Sequence, residues 1–377
     1  MTQISEHRCP YCFSGLPLGT DHLACPTADG PGTQNCVTAV PAVRAPGSIC
    51  PEHKKELVPF CYARGCQRRL PPGWGEVTTT CISMAGTRSS GKTVFVAESA
   101  RLLQAWGRKY QLIVEHYSKD SKDDFETRFG RLKAGESLFG STMPEIPGGS
   151  RQEHQEPVLL RLKRFMKRDH VLVIRDIAGE DVQNALMDRA HFGFLARADG
   201  MILMVDPSDS PQVQRSGLVD QHEASEFDPS GVWGNIERLH AAVVGDAARM
   251  VPMAVTISKF DLVLDASESA HSTLGQGLSA KGSRMHQDPS LRTGTFDPSD
   301  ADLLDSELRS LCDEKYLGHP VLVQWANQAA GKGDVRFFAV SALGQAAKFG
   351  RVAKHGIVPY RCLDPWKWFL ANAGLIS

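Results

Sequence analysis

The stretch Gly86-Thr87-Arg88-Ser89-Ser90-Gly91-Lys92-Thr93 decides the fold. It reads G-x-x-x-x-G-K-T, the pattern of a phosphate-cradling loop, which carries meaning only between a strand and a helix. Both flanks qualify. Val77-Thr78-Thr79-Thr80-Cys81-Ile82-Ser83-Met84 is a β-branched run suited to a buried strand, and Val94 to Trp106 carries apolar residues at helical spacing. In that order the glycines let backbone N–H groups point at an anion, and the helix N-terminus adds its positive dipole end. Lys92 is then expected to reach the β- and γ-phosphates and Thr93 to ligate Mg²⁺, with Gly86, Ser89, Ser90 and Gly91 completing the cradle.

Downstream, a series of strand-like runs ends in residues of matching chemistry. His170-Val171-Leu172-Val173-Ile174-Arg175, preceded by a neighbouring run from Pro157 to Leu162, leads into Asp176-Ile177-Ala178-Gly179-Glu180. A D-x-x-G at a strand C-terminus offers a carboxylate, Asp176, to the Mg²⁺ shell and a backbone N–H, Gly179, to the γ-phosphate. Gly200 to Asp206 reads as the next buried strand, and a helix is expected from about Trp233 to Ala248. Ala254 to Ile257 then runs into Ser258-Lys259-Phe260-Asp261. Asp261 can accept two hydrogen bonds from the guanine N1–H and 2-amino group, which adenine does not supply, while the Lys259 stem packs over the base. Val335 to Val340 leads into Ser341-Ala342-Leu343, where a backbone N–H would meet the guanine O6. The ordered series predicts guanine nucleotide, GTP or GDP, as the ligand. Between the first two motifs, a helix is expected over about Asp123 to Ala134, followed by a Gly-, Pro-, Ser- and Thr-rich loop. Thr142 in that loop is either a switch threonine meeting Mg²⁺ and the γ-phosphate or an ordinary loop residue.

The 377 residues are 42% hydrophobic and 23% charged with a net charge of −1, a balance that supports a sizeable core and provides no global field favouring nucleic acid or an acidic membrane. Apolar runs such as Met201 to Val205 are too short to cross a bilayer, and Met1 to Pro10 lacks an apolar signal segment, so a cytoplasmic protein is expected. Seven of the ten cysteines nevertheless lie before residue 70. Without an export signal, such clustering points to metal rather than disulfides. Cys9, Cys12, Cys25, Cys36, Cys50, His53, Cys61 and Cys66 make the eight ligands of two closed, structural tetrahedral Zn²⁺ sites, with C-x-x-C and C-x-x-H as the knuckles. Two pairings satisfy the spacing. Cys9/Cys12 joins Cys50/His53 while Cys25/Cys36 joins Cys61/Cys66, or the pairs nest, outer with outer and inner with inner. Pro71-Pro72-Gly73 marks a boundary between a cysteine-rich module, residues 1–72, and a nucleotide-binding domain, residues 73–377. Within the latter, residues 264–332 read as a long loop insertion, Ser-, Gly- and His-rich and mobile from Ala266 to Ser299, and Asp364 to Leu370 reads as a proline-started helix packing on the sheet.

Taken together, G-T-R-S-S-G-K-T, D-I-A-G, S-K-F-D and S-A-L, in that order, resemble the GTPase motif series of the translation-factor and Ras-like (TRAFAC) class over about residues 77 to 370. The cysteine-rich head, the long spacing from phosphate loop to D-x-x-G, and the terminal D-P-W-K-W-F-L more particularly resemble the bacterial double-GTPase group, associated with multi-protein conflict or defence systems. The resemblance implies an α/β, three-layer P-loop sandwich with a mostly parallel sheet and a small N-terminal zinc module. It also implies a Mg²⁺·GTP switch that hydrolyses GTP slowly to GDP and phosphate, with regulatory or effector proteins as partners; the short apolar runs and near-neutral charge predict no membrane or nucleic-acid partner. Lys92, Arg88, Thr142 and Glu180 are the catalytic candidates it points to. Two departures bear on activity, and a third on the bracing of a loop. Glu180 stands where Ras-like enzymes carry a water-orienting glutamine. Arg88 occupies a position commonly glycine, where it serves as an arginine finger in cis, obstructs one from a partner, or points to solvent. Ser258 replaces the usual Asn or Thr at the head of the guanine motif, which is expected to weaken the bracing of the loop more than base selection. Two roles stay open: a hydrolysing switch, and a GTP-dependent scaffold that hydrolyses little and uses the zinc head for recognition. S-K-F-D and the near-neutral charge disfavour an ATP-driven or nucleic-acid-dependent enzyme.

Overall fold

A computed structural model describes residues 7–16, 22–26, 40–41, 47–50, 53–63, 66–86, 90–130, 156–164, 167–177, 192–218, 238, 251–268, 273–278, 282–329, 333–345 and 356–377. The head carries three short strands, β1 (His22–Ala24), β2 (Val40–Pro41) and β3 (Val58–Pro59), in an antiparallel sheet ordered β2-β1-β3. The β-branched run around the phosphate loop becomes β4 (Thr78–Gly86), and the apolar stripe after it becomes α1 (Lys92–Lys109). Next come β5 (Ile113–His116), a strand absent from the sequence reading, and α2 (Lys119–Phe129), capped by Ser118 and Ser121. Then follow β6 (Val158–Lys163), β7 (His170–Asp176), α3 (Phe194–Arg197), β8 (Gly200–Val205), α4 (Pro211–Arg215), β9 (Met253–Ile257) and α5 (Phe260–Ser267). The chain closes with α6 (Leu274–Leu278), α7 (Pro298–Leu311), α8 (Pro320–Ala329), β10 (Val335–Ala339) and α9 (Asp364–Asn372). The helix expected over 233–248 lies outside the described residues, apart from a helical residue 238.

The main sheet has seven strands in the order β10-β9-β8-β4-β7-β6-β5, all running the same way except β6, which is antiparallel to both of its neighbours, β7 and β5. Alternation along each strand sends side chains to opposite faces and so divides the core in two. Cys81, Val173, Leu203, Val255 and Phe337 face α7 and the cysteine-rich head; Ile82, Ile174, Ile202, Ala254 and Phe338 face α1 and α9. The result is the expected three-layer α/β sandwich. In the head, Leu23, Cys25, Cys50 and Leu57 form a small buried cluster, while Cys9, Phe13, Cys61 and Leu70 belong to the same buried cluster as the sheet. Helix α9 packs on the opposite face, as its sequence predicts: Trp366 stacks on Phe95, ring centroids 5.8 Å apart, and a Cβ on Gly200 would lie 2.2 Å from the Phe369 ring.

One expectation requires correction. The segment 264–332, read as a long loop and as mobile from 266 to 299, carries α6, α7 and α8 and buries Leu274, Leu278, Met285, Leu304 and Leu308. Its polar composition concealed hydrogen bonds arriving from distant sequence. Glu307 accepts from Ser283 Oγ and from the Arg284 and Met285 amides. The buried Arg361 donates to the Gln287 carbonyl at 2.7 Å and to Asp300 at 2.8 Å, and its guanidinium also pairs with Asp364. Lys367, in α9, donates to the carbonyls of Ser290 at 2.5 Å and Thr293 at 2.7 Å. No helix among the described residues is long and apolar enough to cross a membrane.

Candidate functional site

Central strand β4 lies between β7 and β8, where the order of parallel strands reverses, so the crevice at its C-terminal end is the ligand position intrinsic to this topology. Gly86 ends the strand with φ 156, and a Cβ there would meet the Met204 carbonyl at 2.5 Å. Gly91 takes the left-handed conformation, φ 81 and ψ 15, to cap α1, a geometry glycine adopts without strain. Lys92 is buried and its Nζ donates to the Gly86 carbonyl at 2.9 Å, folding the ammonium back over the loop entrance. Burial lowers its pKa, and the Asp176 and Asp206 carboxylates oppose that shift. Register pairs Met84 with Asp176, which sets the D-x-x-G carboxylate beside the end of β4. Ser90 is buried and Thr93 lies one residue into α1. Arg88, Ser89, Thr142, Gly179 and Glu180 lie outside the described residues.

At the C-terminal end of β9, Lys259 sits in the left-handed region at φ 45, between β9 and α5. Asp261 is buried and accepts a hydrogen bond from the Ser341 hydroxyl, whose oxygen in turn accepts the Gly344 amide at 2.8 Å. Burial raises the Asp261 carboxyl above its ordinary value, and the Ser341 hydroxyl works in the other direction. The two guanine motifs, 80 residues apart, are thus joined directly. Ser341 also exchanges backbone hydrogen bonds with Tyr360 at 3.0 and 2.8 Å, while Ala342 follows it half-buried. Ser258 does not leave its loop unbraced: its hydroxyl donates to the Val205 carbonyl at 3.0 Å. Beside Asp261 and Ser341 opens a cleft of about 450 Å³, lined also by Leu264, Asp288, Leu291 and Tyr360.

Sequence reading missed Asp206. It is buried just past β8, and its Oδ1 accepts from Ser208 N at 2.9 Å and Ser208 Oγ at 2.6 Å while Oδ2 lies 2.8 Å from Lys259 Nζ. The signal was available in Val205-Asp206-Pro207-Ser208: an acid at a strand end, followed by proline at the first turn of a short helix.

In the head, the nested pairing is the one observed. Cys9, Cys12, Cys61 and Cys66 gather with all four sulfurs within 4.8 Å of one another, and Cys25, Cys50 and His53 form a second group; Cys36 lies outside the described residues. A tetrahedron with zinc–sulfur bonds of about 2.3 Å has edges of about 3.8 Å. The Cys9–Cys66 and Cys12–Cys61 separations are 3.8 and 3.7 Å, so this donor set fits a tetrahedral thiolate-binding metal. Hydrogen bonds from Cys61, Cys66 and Cys9 drive the Cys12 thiol far below the ordinary thiol range, and burial drives Cys9 far above it. In the second group His53 Nδ1 lies 3.6 Å from Cys25 Sγ and 3.7 Å from Cys50 Sγ.

The chain is similar to several known proteins. Residues 80–306 match the family described as Double-GTPase 2. A relative from Mycolicibacterium smegmatis, named "Putative ESX-1 scaffolding and assembly protein SaeC", is 28% identical over 326 residues, covering 85% of this chain and 80% of the relative. Among solved structures, the Trypanosoma brucei small GTPase Arl6 with a bound GTP analogue is 11% identical with a TM-score of 0.29, covering 80% of this chain and 100% of the other. The Saccharomyces cerevisiae Ski7 GTPase-like domain bound to GTP is 12% identical with a TM-score of 0.29, covering 79% of this chain and 51% of the other. With a match that spans more than half of its length and contains the phosphate-loop lysine, Asp176 and the Asp261 motif, the chain belongs to the Double-GTPase 2 family of P-loop GTPases.

Proposed function

We propose that the protein is a Mg²⁺·GTP-binding switch that acts on a partner protein and hydrolyses GTP slowly. The observation that carries this reading is the convergence of Lys92, Asp176 and the joined Asp261–Ser341 pair at the C-terminal ends of neighbouring parallel strands. In this reading Lys92 neutralises the β- and γ-phosphates, and the Gly86, Ser89, Ser90 and Gly91 backbone cradles them. Thr93 and Asp176 hold the Mg²⁺, joined by Thr142 when GTP is bound, and Gly179 senses the γ-phosphate. Asp261 accepts from the guanine edge, Lys259 lies against the base, and the Ser341–Ala342 turn meets O6. Arg88 supplies positive charge to the transition state, and Glu180 takes the sequence position of the glutamine that orients the attacking water in Ras-like enzymes. Zn²⁺ in the two cysteine-rich groups, with Cys36 completing the second, folds a 1–72 module onto the 73–377 GTPase domain.

Titration calorimetry with GTP, GDP and ATP tests the assignment: binding of both guanine nucleotides is expected, together with at least a tenfold preference over ATP, and Lys92→Ala is expected to abolish it. Equal affinity for ATP and GTP would sink the guanine assignment.

The name given to the mycolicibacterial relative favours a second reading, a GTP-dependent scaffold with little turnover. Single-turnover conversion of GTP to GDP, with Glu180→Gln and Arg88→Ala beside the parent, separates the two. The partner belongs either to a conflict system, as the motif resemblance implies, or to an assembly process of the kind named for the relative.

A further inference from the structure

The four-cysteine group and the magnesium-side end of β7 meet through one buried side chain. Arg175 immediately precedes Asp176, and its guanidinium donates to the carbonyl of Tyr11, inside the knuckle Cys9-Pro10-Tyr11-Cys12. Ligands on either side of Tyr11 therefore fix the direction of that carbonyl. The same guanidinium lies 3.7 Å from the centroid of the Phe194 ring, and Phe13, directly after the knuckle, meets that ring edge-on at 5.4 Å. Arg8 grips the end of α3: its Nη1 donates to the Arg197 carbonyl at 2.8 Å and its Nη2 lies 3.3 Å from Asp199 Oδ1. Asp199 Oδ2 in turn accepts the Cys81 amide of β4 at 2.8 Å. The head thus holds the strand end that carries Asp176 and the helix that precedes β8.

Alternation along β7 turns Arg175 toward the head and Asp176 toward the opposite face. Arg175 does not compete for the Mg²⁺ site; it fixes the backbone from which Asp176 projects. We infer that the Cys9/Cys12/Cys61/Cys66 metal site positions Asp176 through the Tyr11 carbonyl and Arg175, so that metal occupancy of the head and Mg²⁺·GTP binding are thermodynamically coupled. This inference rests on the nucleotide and zinc assignments proposed above. Loss of the metal removes the cross-link that holds the Tyr11 carbonyl, and the Arg175 guanidinium loses its fixed acceptor. Arg175 is a positioning residue in this scheme, and coupling between binding sites is reciprocal by necessity.

The test uses the full chain. Zinc affinity is measured by competition with a chromogenic chelator, with and without a non-hydrolysable Mg²⁺·GTP analogue, in the parent and in Cys50→Ser, which retains the four-cysteine group. The nucleotide complex is expected to hold zinc about tenfold more tightly in both. Conversely, Arg175→Lys and Cys66→Ser are expected to weaken Mg²⁺·GTP about tenfold and to raise the Mg²⁺ concentration at half-saturation, while GDP affinity without Mg²⁺ is unchanged. A purely structural role for Arg175 would lower both affinities alike, and that result overturns the inference. Should the variants fail to fold, the parent competition decides alone: zinc affinity indifferent to Mg²⁺·GTP overturns the coupling. A parent that binds zinc but no guanine nucleotide instead overturns the functional reading and the coupling with it.

Discussion

The Nζ of Lys259 lies 2.8 Å from Oδ2 of Asp206, a pairing that ties the guanine motif to the end of the neighbouring strand. Asp206 is almost completely buried, and Ser208 satisfies its other oxygen, so the carboxylate is held rather than adaptable. It also contributes to keeping Lys92 charged against the effect of burial. Asp206→Asn keeps the shape and removes the charge from both lysines. Guanine-nucleotide affinity is expected to fall about tenfold, equivalent to about 1.4 kcal/mol. Competition with a fluorescent GDP measures this, and an affinity equal to that of the parent would refute the role.

Titration of His170 gives the fold an acid-sensitive point. The ring is buried at the start of β7 between two hydroxyls, Nδ1 at 2.8 Å from Thr78 Oγ1 and Nε2 at 2.9 Å from Thr80 Oγ1. Burial, assisted by Arg164, lowers its pKa from 6.5 to about 4, so the folded protein holds the neutral ring. The sign follows. This contribution is complete above pH 6.5 and is lost as pH falls toward 4, with a limit on the order of 3 kcal/mol. His7, His116 and His319 are displaced in the same direction by burial, so the loss is shared. Urea midpoints between pH 7 and pH 4 should decline less steeply in His170→Gln than in the parent; parallel curves would contradict this.

Much of the fold was legible because its signals are local. A strand ending at Gly86 and a helix beginning at Lys92 are encoded within twenty residues, and the order of motifs dictates a parallel sheet with its ligand crevice at the strand ends. The contacts that complete the site are not local. Nothing near Asp206 announces Lys259 as its partner, nothing near Tyr11 announces Arg175, and the insertion was read as a loop because its cations, Arg361 and Lys367, lie up to 77 residues further along. Edge strand β5 was missed because Ile113-Val114-Glu115-His116 is too short and too mixed to stand out from the polar stretch around it.

Lys367 provides a direct test of that long-range bracing. Its ammonium is buried over the Trp106 ring and donates to the carbonyls of Ser290, Thr293 and Thr295 and to the Thr293 hydroxyl. Lys367→Met fills a similar volume but takes the donor from the Ser290 carbonyl, while the Thr293 carbonyl keeps Trp106 Nε1 at 2.8 Å and the Thr295 carbonyl keeps the Thr293 hydroxyl at 3.1 Å. An unsatisfied buried group of this kind costs about 1–3 kcal/mol, so a stability loss of roughly that size is expected. Urea denaturation measures the loss, and native-state hydrogen exchange should show faster exchange in 282–297 before any change in β4. Uniform loss of protection across both would argue against a local brace.

The two cysteine-rich groups should separate in their consequences. Cys66→Ser and Cys50→Ser each remove one ligand from a different group, so each is expected to lower bound zinc from two equivalents to one. Their effects on the GTPase domain should differ, because Cys9 and Cys61 share the buried cluster of the main sheet, whereas among the described residues Cys25 and Cys50 cluster with Leu23 and Leu57. Cys66→Ser is therefore expected to lower the thermal midpoint of the whole chain by several degrees, as a loss of about 2 kcal/mol or more would. Cys50→Ser should leave that transition nearly in place. Replacing zinc with Co²⁺ checks the ligand sets independently: the Cys50→Ser protein retains the thiolate-to-metal charge-transfer band of a four-sulfur site, and Cys66→Ser retains that of the mixed sulfur–imidazole site. Zinc content that stays at two in either variant, or a large thermal shift in Cys50→Ser alone, would reverse the assignment of the four-cysteine group as the one that anchors the head.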